Sequence, residues 1–149
     1  MLEELSTQNF DAALVLFKQY QEFYEVKSID EEKNRKHLQM LLENEEMGKL
    51  FMICDNTYAG FATVYYSFSS ILAEKIAILN DVYVQKSHRR KGFGKQLIEH
   101  CFEYLKTCGI RTVRWTTRQD NLTAQKLYNH YSSKTEWFMY TYKIPGIGW

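Results

Sequence analysis

The chain has 149 residues, of which 45% are hydrophobic and 25% are charged, and this balance is typical of a globular domain with a full core. A formal net charge of +1 argues against a bulk electrostatic attraction to nucleic acid or to an anionic membrane. The three cysteines are widely spaced and the four histidines show no metal-ligand spacing, so neither a disulfide framework nor a metal site is predicted. The sequence has no secretory signal and no apolar run of membrane length. We therefore expect a single domain over residues 1–149, located in the reducing cytoplasm and without a metal.

Hydrophobic periodicity in the first half predicts two helices, then a hairpin and a long strand. Apolar residues recur at helical spacing in the first of these segments, and acidic residues lead the second, which has a leucine stripe. Runs rich in valine, tyrosine and threonine flank a polar turn at residues 55–57 and predict the hairpin. The predicted elements are a short strand at residues 1–5, helices at Asp11–Val26 and Asp30–Asn44, and strands at Leu50–Cys54, Ala59–Phe68 and Lys75–Val84.

The second half predicts a helix, a strand, a second helix and a final strand. The amphipathic helix Lys95–Thr107 ends at Gly109, where a residue with positive φ is common, and the elements after it are Arg111–Thr117, Asn121–Tyr131 and Trp137–Ile144. The last of these alternates aromatic with smaller residues, as a strand does. A helical crossover joins the long strand of the first half to the strand that follows it. These two strands are therefore expected to be parallel or nearly so.

Two glycines and four cations follow an apolar run in the middle of the chain. The run Ile76–Val84 ends in a polar turn, and Gly92 and Gly94 then open the helical pattern. A strand, a glycine loop and a helix point several backbone N–H groups at one spot, and glycine lets a ligand approach the backbone closely. The cations of the loop are Arg89, Arg90, Lys91 and Lys95. This pattern predicts a pyrophosphate site, although the glycine spacing fits neither a P-loop nor a dinucleotide fingerprint.

The same segment resembles motif A of the GNAT superfamily of acetyl-CoA-dependent N-acetyltransferases. That motif has the form Gln/Arg-x-x-Gly-x-Gly/Ala, which Arg89–Gly94 matches, and in the family it follows a strand similar to Leu79–Val84. Residues Asn121–Tyr128 resemble motif B, Asn-x-x-Ala-x-x-Leu/Phe-Tyr. The aromatic helix Leu16–Tyr24 and Trp137 are similar to the diamine N-acetyltransferase branch. The Gly-Phe pair that usually follows the motif B tyrosine is absent, so the turn into the last strand is expected to differ.

The resemblance implies an α/β GNAT fold, with a central mixed, mostly antiparallel twisted sheet that contains a parallel splayed pair and is flanked by helices. It also implies acetyl-CoA as co-substrate, with the pantetheine arm in the opening of the splayed pair and bonded by backbone groups of Val82 and Val84. A backbone N–H near Val82 or Tyr83 would polarise the thioester carbonyl. The coenzyme-binding residues implied in this way are Val82, Tyr83, Val84, Arg89, Arg90, Lys91, Gly92, Phe93, Gly94, Lys95, Asn121 and Ala124.

Acetylation of an amine needs two proton movements, because the attacking nitrogen must be neutral and the departing thiolate gains a proton. Tyr128 is the candidate acid. The diamine branch often has glutamate where this chain has Asn80, whose amide accepts no proton, and side-chain alternation places Asp81 on the opposite face from Asn80. We expect a water chain that ends at Asp81, at Glu25 or in solvent. The expected catalytic residues are Tyr128 and Asp81, and the expected acceptor-binding residues are Tyr20, Tyr24, Glu25 and Asn80.

The partial likeness to the diamine branch favours transfer to a small primary amine, such as a polyamine or an amino acid, by direct attack in a ternary complex. The alternatives are transfer to a protein or peptide amine, and a non-catalytic module that binds acyl-CoA. A nucleic-acid-binding loop is disfavoured, because few aromatic side chains accompany its cations. The aromatic last strand and the tail Ile147–Trp149 make a homodimer a reasonable expectation.

Overall fold

A five-stranded sheet with the strand order β1-β2-β3-β4-β5 organises the first unit of the structure. The computed structural model describes residues 1–147 and divides into a unit over Met1–Thr116 and a second unit that begins at Thr117. The strands are β1 (Leu2–Glu4), β2 (Gly48–Asp55), β3 (Thr57–Ser69), β4 (Glu74–Val84) and β5 (Val113–Arg114). The helices are α1 (Phe10–Phe23), α2 (Glu31–Glu43) and α3 (Phe93–Thr107) in the first unit and α4 (Leu122–Tyr128) in the second. Neighbouring strands pair antiparallel except β4 and β5, which are parallel, so the predicted fold class is confirmed.

The helices α1 and α2 cover one face of the sheet with their apolar stripes. The buried cluster on this face consists of Phe10, Ala13, Leu16, Leu38, Leu41, Leu50, Met52 and Phe61. The side-chain amides of Gln21 and Asn34 join the two helices through reciprocal hydrogen bonds of 2.9 and 2.7 Å. At the start of α2, the Asp30 carboxylate accepts the backbone N–H of Lys33 at 3.1 Å and so satisfies one of the donors that a helix end leaves over.

The helix α3 covers the opposite face. Phe51 alternates with the cluster residues along β2, and its ring lies 4.6 Å from that of His100 and 5.2 Å from that of Tyr104 on α3. The side chains that α3 buries are Leu97, Ile98, Cys101 and Leu105. Although α3 has 15 residues, no helix within residues 1–147 is both long and apolar enough to cross a membrane. Both faces of the sheet are therefore covered by helices.

The strand β4 carries one residue more than the part of β3 opposite to it. Thr63 pairs with Asp81, but the next residue of β3 pairs with Leu79, which leaves Asn80 as the extra residue of a β-bulge. Residues directly opposite in a sheet share a face, so Asp81 lies on the face of Thr63 and Leu79 lies on the other. Phe61, two residues before Thr63, belongs to the cluster under α1 and α2. The bulge therefore turns Asp81 toward the face that these two helices cover.

The predicted elements up to α4 are confirmed, with ends that differ by a few residues. The predicted strand Arg111–Thr117 is shorter in the structure, where β5 has two residues. The predicted final strand Trp137–Ile144 is wrong, because these residues form no regular element. Alternating side chains supply a face for packing, but a strand also needs a neighbouring strand that hydrogen-bonds to its backbone. The alternating residues do not supply such a packed face here, since Tyr140 is 92% exposed. In the tail on which the dimer expectation partly depends, Gly148 and Trp149 lie outside the described residues.

We expect Asp30→Ala to lower the free energy of unfolding by about 1 kcal/mol, because the N-terminal cap of α2 loses its acceptor for the N–H of Lys33. Asp30→Asn is the matched control, since asparagine accepts the same hydrogen bond without the charge. Urea denaturation of the three proteins measures both effects. Equal losses in the two variants would show that the charge near the helix start, and not the hydrogen bond, provides the stabilisation.

Candidate active site

The loop after β4 has a backbone that is suited to an anion. After one turn of 3-10 helix at Lys86–His88, Arg90 and Gly92 both have left-handed backbone, with φ of +66° and +79°. The first backbone hydrogen bond of α3 runs from the N–H of Gln96 to the carbonyl of Gly92 at 3.1 Å. The N–H groups of residues 93–95 therefore have no acceptor within the helix. They lie at the positive end of the α3 dipole, where phosphate groups commonly bind.

Three cations of the predicted cluster surround this helix end. The Nζ of Lys91 lies 3.6 Å from the Asp55 carboxylate, the Nζ of Lys95 lies 4.0 Å from that of Glu99, and Arg90 is exposed. Ion pairs at the surface contribute little to stability, so a phosphate can compete with the carboxylates at small cost. A diphosphate gains charge-assisted hydrogen bonds from these cations and from the amides of the helix end. The donors that the structure gathers here therefore fit a diphosphate.

The side chain of Arg89 contacts α1 and β4. Its Nε donates to the carbonyl of Val84 at 2.9 Å, and its guanidinium lies over the ring of Phe23, 5.2 Å from the centroid. Burial raises the pKa of the Tyr83 phenol, and the charge of Arg89 acts on it in the opposite direction. Arg89 thus connects the loop to α1 through its side chain, a contact that its position in the sequence motif did not indicate.

The strand β4 has an open edge beyond its short pairing with β5. Parallel pairing covers residues 77–78 of β4, and no strand within residues 1–147 continues it along the rest of that edge. The N–H of Gln85 donates to the carbonyl of Ala59 at 2.8 Å, on the β3 side. Because backbone groups alternate in direction along a strand, those of Val82 and Val84 point to the open edge. An extended ligand can pair with this edge as a further strand would.

Aromatic rings from α1 and the sheet gather on the α1 face of β4. The ring of Tyr20 is central, with its centroid 5.1 Å from that of Tyr24, 5.4 Å from that of Phe61 and 5.8 Å from that of Tyr83. Phe23 lies 5.1 Å from Tyr24, and both of these rings are partly exposed. The exposed faces of such rings attract ammonium groups. The predicted acceptor residues Tyr20 and Tyr24 are therefore brought together, with Tyr83 as an additional member.

Glu22 lies near the end of α1, and Glu25 lies in the turn that follows the helix. Glu25 lies in the exposed turn after α1 with φ of +58°. Within residues 1–147, its carboxylate forms no hydrogen bond with Asn80 or Asp81. Glu22 instead acts on Tyr83, where its charge adds to the effect of burial and raises the pKa of the phenol. Glu22 is thus the carboxylate of α1 that influences the aromatic group.

Asp81 is the nearly buried carboxylate of the bulge, with 8% of its surface exposed. It accepts hydrogen bonds from the hydroxyl of Thr63 and, at 3.1 Å, from the Nδ2 of Asn80. The expectation that alternation separates Asn80 from Asp81 is wrong, because the bulge interrupts the alternation and the two polar groups meet. Sequence reasoning also missed Thr63, since its contact depends on the register between β3 and β4.

In the second unit, the residues of motif B lie on α4. The Oδ1 of Asn121 caps this helix by accepting the N–H of Ala124 at 3.1 Å. Gln125 is buried, and its side chain donates to two carbonyls of the preceding loop. Tyr128 is half-buried at the end of the helix. Positions 121, 124 and 128 follow helical spacing, so one side of α4 carries all three predicted residues of this unit.

The three cysteines, Cys54, Cys101 and Cys108, are free thiols. Burial raises the pKa of Cys101 to about 12, so this thiol stays neutral and packs as an apolar side chain of α3. Across the part of the chain that the structure describes, no group of three or more His, Cys, Asp or Glu side chains is placed to hold a metal ion.

The chain belongs to the acetyltransferase (GNAT) family, whose family model matches residues 13–131. Acetyl-CoA is the acetyl donor of this family, and the protein is an acetyl-CoA-dependent N-acetyltransferase. The matched range includes the loop before α3 and the whole of α4, which are the two segments that resemble motifs A and B.

Known proteins similar to this chain are N-acetyltransferases. The uncharacterized N-acetyltransferase YhfO of Bacillus subtilis (strain 168) is 32% identical over 146 residues, which are 97% of each chain. The D-amino-acid N-acetyltransferase HPA3 of Saccharomyces cerevisiae is 35% identical over 81 residues, 54% of this chain and 50% of HPA3. The crystal structure of a probable acetyltransferase superposes with a TM-score of 0.85, at 28% identity and 99% coverage of both chains.

We expect Gly92→Ala to weaken CoA binding about 10-fold or more, because alanine resists the φ of +79° that turns the chain into α3. Gly109→Ala is the matched control: its φ is +76°, it lies at the far end of α3, and open space surrounds both positions. Both variants should lose a similar stability of about 1 kcal/mol. Titration calorimetry with CoA separates them, and equal affinity of the two variants would contradict a role of this loop in binding.

Proposed function

We propose that the protein transfers the acetyl group of acetyl-CoA to the primary amine of a small molecule, a polyamine or an amino acid, by direct attack in a ternary complex. The main support for the proposal is that β4 connects two surfaces, one suited to the coenzyme and one suited to an amine. A cationic helix end follows the strand, and a partly exposed aromatic group shares the face of Asp81. The rings suit an ammonium group and the helix end suits a diphosphate. The name of HPA3, a D-amino-acid N-acetyltransferase, supports a small amine as acceptor.

The coenzyme is assigned to the open edge of β4, with its diphosphate at the start of α3. The N–H groups of residues 93–95, together with Arg90 and Lys91, bind the phosphates. Main-chain groups of Val82 and Val84 pair with the pantetheine arm. Since backbone direction alternates, the N–H of Val82 is the better candidate than that of Tyr83 for the donor to the thioester carbonyl.

Motif B supplies the remaining groups of this assignment. Asn121 and Ala124 are assigned to the coenzyme, and Tyr128 is assigned as the acid that protonates the leaving thiolate. The Oδ1 of Asn121 already caps α4, so its amide nitrogen is the group assigned to the ligand. The spacing of these residues along one side of α4 supports their action on one ligand.

The reaction removes two protons from the ammonium of the acceptor. An alkylammonium has a pKa of about 10.4 and no lone pair, so one proton must leave before attack. Asp81 receives this proton, because its carboxylate lies at the bulge and is oriented by two donors. The nitrogen then bonds to the acetyl carbon as the C–S bond breaks. Tyr128 gives its phenolic proton to sulfur and recovers the second proton from nitrogen through water, so one proton in total passes to solvent.

A thiol-release screen tests this function. Acetyl-CoA is incubated with the protein and separate panels of amino acids, polyamines, aminoglycosides and peptides, and acetylated products are identified by mass spectrometry. We expect release with at least one small amine and a monoacetylated product. Release with peptides alone, or with no small amine, would contradict the proposed acceptor class.

We also propose that the protein is a cytoplasmic homodimer. Exposed aromatic side chains at Trp137, Phe138 and Tyr140 support an interface, because soluble monomers rarely leave such groups uncovered together. Three free thiols are consistent with a reducing compartment. Sedimentation velocity checks the oligomeric state, and a monomer at micromolar concentration would contradict the proposal.

We expect Tyr128→Phe to lower kcat about 100-fold with little change in the Kd for CoA, because the variant keeps the ring and loses the proton that the thiolate needs. Tyr142→Phe is the control for loss of a tyrosine hydroxyl, since Tyr142 is exposed and belongs neither to the assigned site nor to the aromatic side chains named for the interface. Steady-state kinetics and calorimetry give the two quantities. Full activity in Tyr128→Phe would show that the Tyr128 hydroxyl takes no part in the chemical step.

A further inference from the structure

The side chain of Arg89 takes a different direction from the other cations of its loop. Lys91 and Lys95 each approach a carboxylate, with distances of 3.6 and 4.0 Å between Nζ and oxygen. Arg89 instead turns back to the end of β4, where its Nε donates to the carbonyl of Val84 at 2.9 Å. Within residues 1–147, no hydrogen bond, ion pair or ring contact joins this side chain to α3. The contacts of Arg89 therefore do not indicate a role at the diphosphate.

The guanidinium of Arg89 lies where β4 meets α1. Besides its bond to Val84, it lies over the ring of Phe23, 5.2 Å from the centroid. The centroid of Phe23 is in turn 5.1 Å from that of Tyr24 and 6.3 Å from that of Tyr83. These two rings belong to the aromatic group that is assigned to the amine. Arg89 is thus fixed by two contacts beside the acceptor side of β4.

The terminal nitrogens of Arg89 can bind an anion. Its Nε is used by Val84, whereas the terminal nitrogens have no acceptor in the part of the chain that the structure describes. No carboxylate within residues 1–147 forms an ion pair with this exposed guanidinium. Arginine keeps its charge at neutral pH, and its planar fork matches the two oxygens of a carboxylate. Such a cation beside an amine site suits a substrate that carries a carboxylate as well as an amine.

Distances along β4 are suited to an α-amino acid. Val82 and Val84 are two residues apart, so their main-chain groups are separated by about 7 Å. The thioester is assigned to Val82, and the guanidinium is bonded at Val84. The amine nitrogen and a carboxylate oxygen of an α-amino acid are about 3 Å apart, and a contact at each end adds about 3 Å. One α-amino acid can therefore reach the acetyl carbon and the guanidinium together.

We propose that Arg89 binds the carboxylate of the acceptor, and that the acceptor is an α-amino acid. This inference rests on the proposed function, which names an amino acid and a polyamine, and it selects the first. The carboxylate forms charge-assisted hydrogen bonds with the terminal nitrogens of Arg89, while the amine lies on the face of Asp81. A polyamine has no carboxylate, and it would place a second ammonium beside the guanidinium, where like charges repel.

The test uses the full-length protein and compares each amino acid that the thiol-release screen acetylates with its own primary amide. The amide keeps the amine and the side chain but replaces the carboxylate by a neutral group. Its amine is also less basic, so slower acetylation of the amide cannot come from a larger share of ammonium. For the wild type, we expect kcat/KM to be about 10-fold to 100-fold higher with the amino acid than with the amide.

Substitutions at Arg89 should remove this preference. In Arg89→Gln, we expect the KM for the amino acid to rise about 10-fold to 100-fold, while the KM for the amide and the Kd for CoA change less than about 3-fold. Arg89→Lys keeps the charge without the planar fork and should retain part of the preference. Lys86→Gln is the matched control, because it removes an equal charge from an exposed residue of the same loop that has no assigned role. It should behave as the wild type does.

Other outcomes would overturn this assignment. Equal losses with the amino acid and the amide in Arg89→Gln would show that Arg89 only holds the loop against Val84 and Phe23. A comparable loss of CoA affinity would place Arg89 at the diphosphate instead. An unchanged preference in Arg89→Gln, an equal loss in Lys86→Gln, or acetylation of polyamines alone would overturn the carboxylate site and leave the proposed function intact. Absence of thiol release with any small amine would overturn both.

Discussion

One extra residue in β4 determines what the centre of the sheet can do. Without the bulge at Asn80, regular side-chain alternation would place Asp81 on the same face as Leu79, which lies away from α1 and α2. With it, the carboxylate lies opposite Thr63 and receives two hydrogen bonds instead of packing among apolar side chains. A buried carboxylate without such donors is costly, so the bulge and its hydrogen bonds depend on each other.

Beyond the bulge, β4 has two edges with different neighbours. One edge pairs with β3 as far as the residues before the loop, and the other loses β5 after two pairs. The loop then turns through Arg90 and Gly92 so that α3 directs its first N–H groups outward. Local positive charge is therefore concentrated at one helix end, although the chain as a whole carries a net charge of only +1. The strand β4 thus connects the start of α3 with the face of the sheet on which the aromatic rings gather.

Local patterns predicted much of the fold. The apolar stripes of α1 and α2, the turn after β2 and the glycine at the end of α3 each depend on residues close in sequence, and each is confirmed. The prediction of a final strand was wrong for the opposite reason. Its alternation is local, but a strand forms only where the backbone of another strand hydrogen-bonds to it. The prediction that Asp81 is separated from Asn80 was wrong for the same reason, because the bulge depends on pairing with β3.

The sequence by itself determined the loop of cations and glycines and the family, since cations, glycines and a following helix are contiguous and need no distant partner to be recognised. Only the tertiary structure decided the surroundings of the carboxylate. Thr63 is separated from Asp81 by 18 positions in the sequence, and it meets the carboxylate through the register between β3 and β4. Such contacts depend on how elements align in space, which no short stretch of residues records.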